Sequence, residues 1–154
     1  MIAEYEAEDR SENLDAPRQY ALTQTHKHLK EMQKIAGLHI TPIFCPIVSD
    51  FKRGMEVTIP LFVSQINGTM EEIKKVYSQA YQGPVVQYAE DSEEGFLTSN
   101  KLAHKDSMEI SVHGNADRIL LIARFDNLGK GASGSAIQNM NILLGVDETA
   151  GLNL

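Results

Sequence analysis

ILLIARFDNLGKGASGSAIQNMNILLG, residues 119–145, is the stretch that decides the fold. Its first seven residues, ILLIARF, place apolar side chains on both faces of an extended chain, the composition of an interior strand. Residues 129–134, GKGASG, match G-x-G-x-x-G letter for letter. They lead into a helical repeat of Ala136, Ile137, Met140, Leu143 and Leu144 that Gly145 stops. A dinucleotide-binding fold needs a second strand after such a helix, with an acidic residue to hold the ribose. Only ten residues follow Leu144, and they include Gly145, Gly151 and no strand pattern. The segment is therefore not a Rossmann fingerprint. Two roles remain for its glycines. They let a backbone approach a ligand, with amides at a helix start turned to an anion or polarised group. Alternatively they form a tight loop that caps the helix through Ser133.

Working outward, Met55, Val57, Ile59, Leu61 and Val63 alternate with Glu56, Thr58, Pro60, Phe62 and Ser64, which predicts a strand with one apolar face. Asn67-Gly68 closes it. Thr69 and Glu72 then form a capping box ahead of a helix whose apolar face is Met70, Ile73, Val76, Tyr77, Ala80 and Tyr81. Short strands are expected at 85–88 and around Met108, Ile110 and Val112, with an acidic turn at 90–94; residues 96–102 are ambiguous. Towards the start, Leu29, Met32, Ile35 and Ala36 predict a helix over 28–36. LHITPIFCPIV, residues 38–48, is interrupted by Pro42 and Pro46, so it is an edge strand or an irregular extended run, and 50–54 is a turn. This order lacks strict β-α alternation. It predicts an α+β fold: a mixed, largely antiparallel sheet with helices on one face, plus a detached closing helix.

Composition narrows the function. At 154 residues and 42% apolar the chain can bury one core. No window approaches about 18 consecutive apolar residues, so no membrane span is expected. A net charge of −7 argues against nucleic acid, whose binding needs a basic surface. One cysteine excludes an internal disulfide and fits a reducing compartment, so the expected location is cytoplasmic. The opening MIAEYEAEDRSE has no signal-peptide pattern; it is a solvated acidic arm or a connecting segment.

The chemistry-bearing residues cluster twice. His26-Lys27-His28 places two imidazoles at i and i+2, where they share a face only in extended chain. With a helix starting at or after His28, both sit at the entry turn and can converge for general acid–base work; a surface pair is the plain alternative. Asp126 and Asn127 end the apolar strand, where functional side chains often project. Gln138, Asn139 and Asn141 are surface amides or contacts for an amide-bearing ligand. His39, His104, His113 and Cys45 lack metal-ligand spacing, so no metal is expected. Cys45, in an apolar run, fits a buried inert thiol better than a nucleophile.

Together, HKHLKEM (26–32), FKRGM (51–55) and DNLGKGASGSAIQNMNILLG (126–145) resemble N-acetyl-γ-glutamyl-phosphate reductases of arginine biosynthesis, over nearly all of the chain. The closing block alone would also suit an aspartate-semialdehyde dehydrogenase-like enzyme; H-x-H-x-x-E (His26, His28, Glu31) and QNMN favour the arginine enzyme. The resemblance implies a fold similar to glyceraldehyde-3-phosphate dehydrogenase: an N-terminal Rossmann domain, an α+β substrate and oligomer domain, and a last helix returning to the first domain. It implies reduction of the acyl phosphate N-acetyl-glutamyl 5-phosphate by NADPH, giving N-acetylglutamate 5-semialdehyde and phosphate. In that chemistry a cysteine attacks, hydride reduces the thioester and a histidine handles protons.

By the same resemblance His26 or His28 is that histidine, and Arg53, Ser99, Asn100 and Glu31 are substrate contacts. Asn127, Gly131 and Ala132 border the nicotinamide of NADP. The family commonly has proline before the acid, whereas Leu29-Lys30-Glu31 keeps only the acid. Cys45 is not the family's catalytic cysteine, which is expected upstream with the nucleotide-binding domain. The expected organisation is an acidic connecting segment at 1–20 and a substrate and dimerisation domain at 21–128. Residues 129–154 form a glycine loop and closing helix that would pack on the missing Rossmann domain. The chain alone is expected to be inactive and to form a homo-oligomer through the sheet face not covered by helices. The competing expectation is a non-catalytic dimerisation or ligand-binding domain; the presence of His26, His28, Arg53 and the closing block favours the enzyme.

Overall fold

Short pairings organise the first 51 residues in the computed structural model of the chain, which describes residues 2–90 and 94–154. Part of the acidic turn expected at 90–94 therefore lies outside the described residues. Two compact units make up the chain, 1–51 and 52–154.

In the first unit, α1 (Ile2–Tyr5) is followed by a 3-10 turn at Glu12–Leu14 that Ser11 caps, its hydroxyl accepting from the Asn13 amide. Strand β1 (Arg18–Gln19) pairs antiparallel with β2 (Ile47–Val48), and α2 (Lys27–Ile35) lies between them in sequence. The acidic opening is thus not a bare arm. Leu14 is buried, Arg10 bridges Asp15 and Asp50, and the Arg18 guanidinium both donates to the Tyr5 hydroxyl (3.1 Å) and lies over its ring. Composition could not show this, because one leucine and two arginines hold the segment. The proline-interrupted run is irregular until Ile47, as the missing N–H groups require. Ile43, Cys45 and Ile47 fall at alternate positions and point outward. Cys45 is therefore exposed, which corrects the expectation of a buried thiol.

The second unit holds a four-stranded sheet in the order β3-β6-β5-β4: β3 (Met55–Phe62), β4 (Val86–Tyr88), β5 (Met108–Gly114) and β6 (Arg118–Phe125). Neighbours β3–β6 and β6–β5 are antiparallel and β5–β4 is parallel, so the sheet is mixed and the fold is α+β. Pro60 sits in β3, an edge strand, where no ladder donor is lost. The apolar run becomes interior strand β6, with Ile119 and Ile122 buried. Between β3 and β4, α3 (Met70–Ala80) starts at the capping box: Thr69 Oγ1 accepts from the Glu72 amide (3.2 Å) while Glu72 Oε2 accepts from the Thr69 amide (2.8 Å).

Because paired residues share a sheet face, Leu61, Leu121 and Val112 lie on one side, where Ile73, Val76 and Tyr77 of α3 flank the same groove as Leu61 and Leu121. Helix α3 packs on β5 and β4, and Val57 and Ile59 of β3 stay half exposed on that face. The opposite face carries Phe62 and Leu120, both exposed, and the buried Arg124, which donates to Glu109 (2.9 Å). Helix α4 (Gly134–Leu144) closes the chain and ends at Gly145 in the left-handed conformation, φ +68°. Its Met140, Leu143 and Leu144 are exposed. Among the described residues no helix is long and apolar enough to cross a membrane.

Candidate functional site

The first unit carries the histidine pair. Helix α2 begins at Lys27, one residue earlier than its periodicity suggests, because His26 serves as the N-cap: its Nδ1 accepts from the His28 amide (3.3 Å). An accepting Nδ1 puts the proton of the neutral ring on Nε2. The two imidazoles converge, with ring centroids 4.6 Å apart at 70°. Phe44 and Tyr20 stand 5.3 and 6.1 Å from the His26 ring, giving it aromatic walls. His28 Nε2 lies 3.9 Å from Glu31 Oε2, one helical turn on, and both side chains are at least half exposed. A paired, accessible imidazole at a helix start can take and return protons.

The second unit gathers Arg53, Ser99, Asn100 and Asn127. Gly54 has φ +125°, and a Cβ there would come within 2.6 Å of Asn100 Cα, so only glycine lets the 52–54 and 98–100 segments meet. Asn127 Oδ1 accepts from the Gly54 amide (2.9 Å), tying the same turn to the end of β6. Arg53 Nη1 reaches Asp126 Oδ2 (3.3 Å) and His104 Nδ1 (3.2 Å). The Arg53 side chain is one-third exposed, and among the described residues its polar partners all meet Nη1, none Nε or Nη2. That free edge of the guanidinium has the fork geometry that binds a carboxylate or phosphate.

Two residues that the sequence did not mark for this role hold the arrangement. Asp126 is fully buried and accepts from Arg53, from the His104 amide (2.5 Å) and from the amides of Leu128 (2.7 Å) and Gly129 (2.9 Å). Burial alone would raise its pKa; the three amides and the Arg53 charge outweigh it and hold the carboxyl below the ordinary aspartate range. A signal existed, since Asp just before a glycine-rich helix start is an N-cap pattern. His104, with φ +68°, carries no sequence signal beyond its type.

The glycine segment is not a loop. Gly129–Ser133 form one wide π-helical turn that runs straight into α4. Ser133 makes no side-chain cap and instead donates to the Leu128 carbonyl (2.8 Å), so it is Asp126, not Ser133, that accepts the amides at this helix start. The amides of Leu128, Gly129 and Gly131 are spent on Asp126 side-chain or backbone oxygens and are not available to an anion. Gly131 and Ala132 are exposed; a Cβ on Gly131 would lie 3.1 Å from the Phe125 ring. Gln138 and Asn141 are neither free surface amides nor open to a ligand. Gln138 bridges Lys130 and Glu148, and the buried Asn141 donates to the carbonyls of Glu148 (3.1 Å) and Ala150 (2.8 Å). Among the described residues no group of three or more His, Cys, Asp or Glu could hold a metal ion.

Residues 3–127 match the semialdehyde dehydrogenase dimerisation domain family. N-acetyl-gamma-glutamyl-phosphate reductase 2 of Nostoc sp. is 42% identical over 144 residues, covering 86% of this chain and 45% of the relative. The N-acetyl-gamma-glutamyl-phosphate reductase of Trichormus variabilis is 41% identical over the same shares, and that of Brucella ovis 40% over 134 residues, 82% of the chain and 43% of the relative. The chain thus spans a little under half the length of these curated relatives. With a mixed α+β sheet and a match over most of its length, the chain belongs to the semialdehyde dehydrogenase dimerisation domain family.

Proposed function

We propose that this chain is the substrate-binding and self-associating part of a cytoplasmic NADPH-dependent reductase. The enzyme converts N-acetyl-glutamyl 5-phosphate to N-acetylglutamate 5-semialdehyde and phosphate. The observation that carries this reading is Arg53, gripped on one nitrogen by Asp126 and His104 with its other edge open to an anion. The names of relatives about 40% identical supply the reaction class.

In this reading the nucleophilic cysteine and the nucleotide-binding domain lie in the portion of the relatives that the chain does not span. His26 or His28 takes the thiol proton and returns a proton as phosphate departs and the aldehyde forms. Arg53 orients an anionic group of the substrate, with Ser99 and Asn100 beside it, while Glu31 holds His28. NADPH supplies the hydride when bound. The residues here fit the border of its nicotinamide better than its phosphates: Gly131 and Ala132 present an open, side-chain-poor surface, and the amides of Leu128 and Gly129 are already used by Asp126. Asn127 stands at the same border. Self-association uses the sheet.

The test mixes the chain with a separately produced nucleotide-binding half and follows NADPH oxidation with the acyl phosphate. No turnover is expected from the chain alone, and some from the mixture. Turnover by the chain alone would overturn the assignment of the nucleophile elsewhere. Unchanged activity in both His26→Ala and His28→Ala mixtures would overturn the proton-transfer role.

A further inference from the structure

Asp126 lies outside the proton-transfer chemistry, yet its two oxygens serve two different parts of the site. Oδ2 accepts from Arg53 Nη1 and the His104 amide; Oδ1 accepts from the Leu128 and Gly129 amides at the start of the π-helical turn. The carboxylate is fully buried, so water cannot stand in for any lost partner. The elements it joins are fixed from outside as well. His104 is held in the left-handed region, and its carbonyl receives Asn153 Nδ2 at 2.7 Å. Arginine side chains are long and rich in rotamers, and gripping one nitrogen in advance removes much of the ordering cost of anion binding.

We propose that Asp126 is a positioning residue that sets Arg53 and the 128–134 turn together, so that one rigid group places the anion contact relative to the nicotinamide border. The inference rests on the reading of Arg53 as the substrate contact and extends it to a residue that touches neither substrate nor cofactor. Asparagine at 126 offers one accepting oxygen and one donating nitrogen. It can satisfy the Arg53 and His104 side or the Leu128 and Gly129 side, not both.

Two measurements decide it. The first is amide hydrogen exchange on the chain itself. Arg53 is partly exposed, so Arg53→Ala is expected to fold. Through Asp126 it should speed exchange at His104, Leu128 and Gly129 about tenfold, the scale of one charge-assisted hydrogen bond, and leave the α3 amides unchanged. Unaltered exchange at Leu128 and Gly129 overturns the proposal, whatever Asp126→Asn does to folding.

The second measurement uses the mixture with the nucleotide-binding half. Arg53→Ala should raise KM for the acyl phosphate far more than for NADPH, whereas Asp126→Asn should raise KM for both the acyl phosphate and NADPH, each about tenfold. A purely structural defect would lower the active fraction and hence kcat instead. A folded Asp126→Asn with wild-type KM values overturns the proposal. A normal acyl-phosphate KM in Arg53→Ala overturns the reading of Arg53 instead, and the exchange result still decides the role of Asp126.

Discussion

A carboxylate with no exposed surface and four donors around it gives this domain a pH dependence of known sign. Folding holds Asp126 below its unfolded pKa, so on acidification the unfolded chain takes up the proton first. The stabilisation is complete above the ordinary aspartate range and is lost as pH falls through the lowered folded value. Acid unfolding followed by circular dichroism should therefore show extra loss in that window, and Asp126→Asn should flatten it while costing about 2–4 kcal/mol near neutrality. His26 separates a second pair of roles. As N-cap it stabilises α2, so His26→Ala should cost about 1 kcal/mol that His28→Ala does not. His26→Asn should restore the cap, read as recovered thermal stability, without restoring activity to the reconstituted mixture if His26 is the proton carrier. The H-x-H spacing left convergence of the rings open beside a plain surface pair, and the structure brings the two rings together. Capping by His26 was not legible, because it depends on one rotamer and on where the helix starts.

Elements set by their own periodicity were the legible ones. Strand β3, the capping box with α3, and interior strand β6 all stand where alternation, capping chemistry and two-sided apolarity put them. The two-residue strands β1 and β2 were not legible, since each exists only through a partner about thirty positions away in the chain. The glycine segment shows the same limit: G-x-G-x-x-G permits a loop or a wide turn, and the amides accepted by a buried aspartate select the turn. At this scale Gly54 is the joint to test. An added Cβ meets the 99–100 backbone, and the φ of +125° is strained for any other residue. Gly54→Ala should cost more than about 2 kcal/mol. Thr69→Ala, which removes only a cap, should cost about 1 kcal/mol. A Gly54→Ala loss no larger than that of Thr69→Ala, measured by denaturant unfolding, would mean that the 52–54 turn can part from 98–100 without consequence.

Large apolar side chains exposed in the second unit include Phe62 and Leu120 on the sheet face opposite α3, Val57 and Ile59 on the α3 face, and Met140, Leu143 and Leu144 along α4. Burial of such patches is the usual outcome in an assembled protein. In the proposed enzyme Phe62 and Leu120 meet a second copy, and the α4 side chains meet the nucleotide-binding half. Light scattering at micromolar concentration should then report a dimer of the chain. Phe62→Asp, on the face opposite α3, should give a monomer, because a charge in the middle of a desolvated interface costs several powers of ten in affinity. Leu143→Asp should leave the dimer intact and weaken only reconstitution with the other half. Ile59→Asp, on the face that carries α3, should also leave the dimer intact. A monomer from Ile59→Asp together with a dimer from Phe62→Asp would move the interface to the α3 face, where the half-exposed residues of β3 flank the helix.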